Sequence, residues 1–239
     1  MKKKILVAIV SFTVSFCQIS LAQSTATAEN IIKRYINITG GESKWDSVKS
    51  IRFVLESKPS NGNYLRNETI KENPLKYYNK TTFHRRSNPS QANGDSYTEI
   101  YNNGFLVNIS GNKIDTIKDA KKLDEVKLQT FMLSDLAYKK LNYKINLIGI
   151  TKVDGVENYQ LKFESPNGSI LNRFYNKRTG LLTMDQIEDG SKYVYKSYEK
   201  VQGFLIPNKF VYVTPAGVIE FTVKEIVFNE IINPEVFVF

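Results

Sequence analysis

Any catalysis by this chain would have to be built from a small set of side chains. His84, in the stretch TTFHRRSNP, is the only histidine among 239 residues. A hydrolytic triad could use it as a base, but no G-x-S-x-G elbow supplies a nucleophile. Beside Arg85 and Arg86 in a strand-like stretch, a lone histidine reads as a surface residue. Asp185, Glu188 and Asp189 place three carboxylates close together. A glycosidase needs two carboxylates held across a cleft. Asp189-Gly190 signals a hairpin tip, so these acids read as soluble turn residues, although sequence alone leaves a cleft pair open. There is no D-x-D-x-D-G loop, no H-E-x-x-H, no Walker loop and no dinucleotide fingerprint. The expectation is a protein that is not an enzyme, with no catalytic residues, no metal and no cofactor.

Cys17 is the only cysteine, and it lies in a leader-like start. Lys2, Lys3 and Lys4 precede an apolar run from Ile5 to about Phe16, and Ser20-Leu21-Ala22 places small residues where a signal peptidase reads them. This predicts a cleaved secretory signal over residues 1–22, cut after Ala22. The competing reading, an uncleaved anchor, needs about 20 apolar residues, more than the run provides. Lipidation at Cys17 is not expected, because bulky Phe16 stands where lipoprotein signals carry a small residue. A mature chain from residue 23 keeps 30 basic residues against 24 acidic ones and no thiol. Structural disulfides, Cys–His zinc sites and cysteine nucleophiles are thereby excluded. Its positive charges are interleaved with acids, as in KKLDEVK and VKEIVFNE, which reads as a solvated surface and not as a nucleic-acid interface. The Tyr and Phe residues, 14 of each, read as ordinary strand residues before base-stacking platforms.

The elements come next. Thr27 is a plausible N-cap for a helix running to about Ile38, with Ile31, Ile32, Tyr35 and Ile36 on one face. Gly40-Gly41 supply a left-handed stop, and ESKWDSVKS adds a further turn carrying Trp45 and Val48. SIRFVLES then starts a series of strands, with Ile51, Phe53 and Leu55 on one face. Strand signals continue through NYLRNETIKENP, KYYNKTTFHR, SYTEIYNN and FLVNISGNKIDTI, with a polar loop at Ser87–Asp95. Lys118 to Asn142 lacks β alternation and is expected to form one or two helices, broken near Ser134. Hairpins follow, with turns at Asp154-Gly155, Pro166-Asn167-Gly168, Arg178-Thr179-Gly180, Asp189-Gly190 and Pro215-Ala216-Gly217. In VIEFTVKEIVFN the apolar set slips by one residue, which predicts a β-bulge near Lys224-Glu225. Two helical segments are too few to cover ten or so strands in a flat layer. The fold class expected is mainly β (α+β), a large curved antiparallel sheet forming an open half-barrel with helices over its concave face, as one domain over 23–239.

AENIIKRYINITGGESKWDSVKSIRF resembles the opening of the LolA-like superfamily of outer-membrane lipoprotein carrier and sorting proteins. Further matches are PLKYYNKTTF, VDGVENYQLKFESPNGSILNRFYNKRTGLL and the long closing stretch from YKSYEKVQGF to INPEVF. Together they span nearly all of the mature chain. The resemblance implies a periplasmic half-barrel of a Gram-negative envelope, whose apolar cavity between lid and sheet binds lipid or lipoprotein acyl chains. Ile32, Tyr35, Ile36, Phe131, Met132 and Leu136 would line the lid side. Ile51, Phe53, Leu55, Leu161 and Phe163 would line the sheet side, unless these same residues simply pack a closed core. Implied partners are acyl chains and envelope proteins, with no nucleic acid and at most peripheral contact with a membrane. The alternative is a protein-interaction or envelope-stress sensor module using the same concave surface. The carriers latch their lid with an arginine; Arg52 and Arg66 lie in the corresponding region, and no local motif selects either.

Overall fold

A computed structural model describes residues 26–58, 63–73, 75–84 and 95–239. The expected signal over residues 1–22 with its expected cut after Ala22, Cys17 and most of the polar loop expected at Ser87–Asp95 lie outside the described residues.

Helix α1 spans Ala28–Thr39, and its N-cap Thr27 accepts a bond from the Asn30 amide at 3.2 Å, as its position before the apolar repeat predicts. The chain leaves α1 through Gly40 at φ 146° and Gly41 at φ 87°, and both amides donate to the Ile36 carbonyl. A Cβ on Gly40 would stand 3.0 Å from the Phe204 ring and 3.4 Å from the Trp45 indole nitrogen. Gly40→Ala is therefore expected to lose about 1–3 kcal/mol, from positive φ together with crowding, measured by urea unfolding. A loss below about 0.5 kcal/mol would mean that this turn is not held as described. A short helix α2 follows at Glu42–Asp46 and buries Trp45.

The strands are β1 (Ser50–Ser57), β2 (Tyr64–Glu72), β3 (Lys76–His84), β4 (Ser96–Asn102), β5 (Phe105–Ser110) and β6 (Lys113–Ile117). After helix α3 (Ala120–Gln129) come β7 (Lys144–Val153), β8 (Val156–Glu164), β9 (Ile170–Asn176), β10 (Leu182–Ile187), β11 (Lys192–Val201), β12 (Phe204–Thr214) and β13 (Gly217–Phe228). All thirteen form one antiparallel sheet in the order β6-β5-β4-β3-β2-β1-β13-β12-β11-β10-β9-β8-β7. The two halves of the chain are therefore sewn together by β1 against β13, and β6 and β7 remain as open edges. The stretch FLVNISGNKIDTI, readable as one strand, is a hairpin turning at Gly111. The slip in VIEFTVKEIVFN is a bulge: Val54 faces Glu225 and Leu55 faces Val223, which leaves Lys224 as the extra residue.

The sheet curls into a half-barrel. Tyr77 on β3 and Tyr193 on β11 are five strand steps apart, about 24 Å on a flat sheet. Yet Tyr193 lies near enough to be among the charges that raise the Tyr77 pKa, after burial and Glu99. The helices cover the concave face. Residues 118–142 are less helical than expected, because α3 ends at Gln129 and a single 3-10 turn at Ser134–Leu136 follows an extended Leu133. Ser134 and Asp135 compete for backbone hydrogen bonds and disfavour a helix interior. Here their side chains are bonded to the sheet instead. The convex face is partly covered too. The C-terminal tail lays Ile232, Val236 and Phe237 on Ile70, Tyr78, Ile100 and Ile109.

Candidate functional site: the concave face

Under the lid the apolar residues close on one another. Ile31, Ile32, Tyr35 and Ile36 of α1 pack with Leu161, Phe163, Tyr175 and Leu182 of the sheet. Trp45, Val48 and Met132 pack with Ile51, Phe204, Ile206 and Phe228, and Phe53 and Ile226 lie against them. Leu133 and Leu136 touch both groups. Of the residues that could line a cavity, Ile32, Tyr35, Ile36, Ile51, Met132, Leu161 and Phe163 are thus buried in contacts between lid and sheet. Phe53 and Leu136 are half-buried at the edge of these groups, Phe131 borders a separate pocket, and Leu55 lies farther along β1.

A charged group sits in the middle of this apolar layer. Arg173 on β9 is 4 % exposed and Asp135, in the 3-10 turn of the lid, is 0 % exposed. The Arg173 Nη1 donates to Asp135 Oδ2 at 2.7 Å and to Ser134 Oγ at 3.2 Å, while its Nε donates to Asp185 Oδ1 at 3.0 Å. The Tyr175 hydroxyl donates to Asp135 Oδ1 at 2.6 Å, and the Tyr195 hydroxyl to Asp185 Oδ2 at 2.9 Å. The guanidinium also lies 5.7 Å from the Phe163 ring centroid and 5.8 Å from that of Tyr175. Burial by itself would lower the Arg173 pKa. Asp135 and Asp185 more than offset it, so the pKa stands well above its ordinary value. Burial raises the Asp185 pKa, against the lowering effect of Arg173 and of the Tyr195 hydrogen bond. Burial also holds the Tyr175 and Tyr195 hydroxyls protonated, with the neighbouring acids adding to it. Two acids, one arginine and two phenols are thus joined by direct hydrogen bonds, and the group ties the lid segment to β9 and β10.

This corrects the sequence reading of Asp185, which is a buried strand residue and not a turn acid. Glu188 and Asp189 are exposed at the tip, as expected. A signal was present. A turn centred on Thr179 brings Arg173 opposite Asp185, and that is the observed pairing. Arg52 and Arg66 sit on the other side of the sheet. Arg52 bonds to Glu225 and Glu230, and Arg66 to Glu56. A second tie runs from α1 itself, where Arg34 donates to the carbonyls of Lys177 at 3.0 Å and Arg178 at 2.6 Å in the β9–β10 turn.

Beyond the helices the concave face is less covered, and its lining changes. The bulge in β13 keeps Ile219, Phe221 and Val223 on the same side as Ile226 and Phe228. Phe221 stacks on Phe210 at 5.4 Å between centroids, Tyr212 stacks on Tyr193 at 4.5 Å, and Leu55 faces Val223. All of these are half-buried. On the neighbouring strands the same face carries Asn67, Thr69, Asn79 and Thr81. The Asn67 amide donates to Asn79 Oδ1 at 2.8 Å and Thr81 Oγ1 at 2.9 Å, and the Asn79 amide to Thr69 Oγ1 at 3.0 Å. The result is a trough with one apolar wall and one self-satisfied polar wall. Its apolar residues were visible in the sequence as strand aromatics, but only the register across β11, β12, β13 and β1 gathers them.

Lys71, on β2 near the head of this trough, donates to the Phe131 carbonyl at 3.1 Å. Burial pulls its pKa down to about 8. A base with a lower pKa folded than unfolded destabilises the protein while charged. The folded group sheds its proton near pH 8 and the unfolded one near its ordinary 10.5, so this cost fades between those values. Lys71→Met is expected to be more stable than the parent at pH 7, by an amount that shrinks as pH rises from 8. Urea unfolding at pH 7 and at about pH 9.5 measures both, and equal or inverted differences would contradict it.

The remaining chemical candidates are dispersed. His84 stacks on Tyr64 at 4.5 Å, and its buried Nε2 has no hydrogen-bond partner among the described residues. Among the described residues no group of His, Asp or Glu side chains could hold a metal ion, and no helix is long and apolar enough to cross a membrane.

No family model and no curated protein matches the chain. Solved structures do. A DUF1329 family protein from Desulfovibrio piger is 14 % identical with a TM-score of 0.56, covering 87 % of this chain and 96 % of that one. A LolA superfamily protein from Nitrosomonas europaea is 9 % identical with a TM-score of 0.56, over 88 % and 97 %. A domain described as an outer-membrane lipoprotein-sorting protein, from Vibrio parahaemolyticus, is 11 % identical with a TM-score of 0.53, over 87 % and 95 %. At such identities the likeness bears on the fold, and it agrees with the topology described above: this chain has a LolA-like fold.

Proposed function

We propose that the protein is a non-enzymatic binding protein of the Gram-negative envelope, secreted by a cleaved signal at residues 1–22, that holds a lipid or lipoprotein acyl chain on its concave face. The observation that supports this most is the half-buried apolar wall of Leu55, Phe210, Ile219, Phe221 and Val223, which the curled sheet leaves open beyond a tightly packed lid. An acyl chain laid along it gains about 0.8 kcal/mol per methylene buried. The polar wall has its hydrogen bonds satisfied internally, so covering it leaves few orphaned groups. In this reading the lining nearest the lid (Ile32, Tyr35, Ile36, Phe131, Met132, Leu136, Ile51, Phe53, Leu161 and Phe163) supports the trough and joins it only if the lid lifts. The Arg173 group then sets how hard the lid is to lift.

Displacement of a bound fluorescent fatty acid by phospholipid tests the reading. Saturable uptake that unlabelled lipid reverses is expected. An absence of uptake, with a polypeptide from envelope extracts held on the same surface, would move the protein to the sensor or interaction class.

A further inference from the structure

The second opening in the lid region is not apolar throughout. A cavity of about 320 Å³ lies between Asn73 and Leu75 on one side and the end of α3 with the segment after it on the other, lined by Asn73, Leu75, Phe131, Leu141 and the two lysines Lys127 and Lys140. That is the lower end of the size range for small-molecule sites. The other polar lining groups are occupied: the Asn73 amide donates to the Val48 carbonyl, and the Thr130 hydroxyl to the Lys127 carbonyl. The acid nearest in sequence, Glu72, is paired with Lys76 at 2.7 Å. Lys127 and Lys140 have no ion-pair partner among the described residues. Leu75 is held at φ 53°, a conformation that a branched side chain rarely adopts. Strain of that kind clusters where a binding surface needs it. Behind the Phe131 carbonyl stands a third ammonium, Lys71.

We propose that this pocket takes the anionic head of an amphiphile, a carboxylate or phosphate, between Lys127 and Lys140, with the first carbons of its chain against Leu75, Phe131 and Leu141. The apolar floor selects against a bare anion, and the two lysines select against an uncharged glyceride. The assignment does not depend on the trough: the pocket shares none of Leu55, Phe210, Ile219, Phe221 and Val223, and only Phe131 also belongs to the lid-side lining.

The test compares oleate, monoolein and inorganic phosphate by calorimetry at low ionic strength, below the critical micelle concentrations. Oleate is expected to bind at least about tenfold more tightly than monoolein. The Lys127→Gln/Lys140→Gln variant should bring that ratio close to one, while Lys200→Gln/Lys209→Gln, which removes the same charge from exposed sites elsewhere, should leave it unchanged. Inorganic phosphate should not displace oleate. A ratio near one in the parent, or a ratio that falls equally in both variants, would overturn the site. Displacement by millimolar phosphate would make it a free-anion site and overturn the amphiphile. Affinity for monoolein reads the trough and the oleate-to-monoolein ratio reads the pocket, so each can fail without the other.

Discussion

Replacing Arg173 by methionine is expected to destabilise the protein by about 3–5 kcal/mol, because it leaves Asp135 and Asp185 buried without their cation. For a urea slope of about 2 kcal/mol/M that is a fall in midpoint of roughly 2 M. The size of the effect comes from the orphaned acids more than from the lost attraction. Replacing the set together (Arg173→Met, Asp135→Leu, Asp185→Leu, Tyr175→Phe, Tyr195→Phe) is therefore expected to restore most of the stability. A loss below 1 kcal/mol for the single variant would show that water reaches the group. The five-fold variant has a second use: with the buried charged group gone and the Arg34 tie kept, it tests whether that group matters to ligand uptake separately from stability.

A glutamate in place of Phe221 is expected to weaken acyl-chain binding by about a hundredfold with the fold intact. Phe221 is half-buried, so the charge can remain solvated in the free protein. A bound chain would cover it. Losing contact with about four methylenes at 0.8 kcal/mol each removes about 3 kcal/mol, or two powers of ten in affinity. Val218→Glu, on the same strand but pointing to the other face at 65 % exposure, serves as the control and should bind as the parent does. Equal affinities for the two variants would place the ligand, if any, elsewhere.

The alternation of apolar residues made the strands and the bulge at Lys224 legible, because a one-residue slip in a period of two shows directly. Helix α1 was equally plain, since Thr27, the apolar stripe and Gly40-Gly41 each mark a different part of it. The segment after α3 was less so: Met132, Leu133 and Leu136 have a helical spacing, yet they reach the sheet from extended and 3-10 backbone. Local pattern cannot show which contacts a tertiary surface will select. The candidate site was only half legible. The lid residues were identified as apolar, but how they meet the sheet depends on distances across it, and here they pack against its apolar residues. The sequence alone misses the pairing of Arg173 with Asp185, because Arg173 looks like a normal polar strand position and Asp185 reads as a turn acid. Only pairing through the turn at Thr179 puts them together, and only Asp135, brought from the lid some forty residues away, makes the group complete.

Native mass spectrometry of the protein purified gently from its own host, followed by organic extraction, tests lipid binding most directly. The account predicts a co-purifying mass that resolves on extraction into a phospholipid or an acylated lipoprotein fragment. A ligand-free mass from a protein that also fails to take up added lipid would contradict it, and the concave face would then be a filled core with an uncovered aromatic wall.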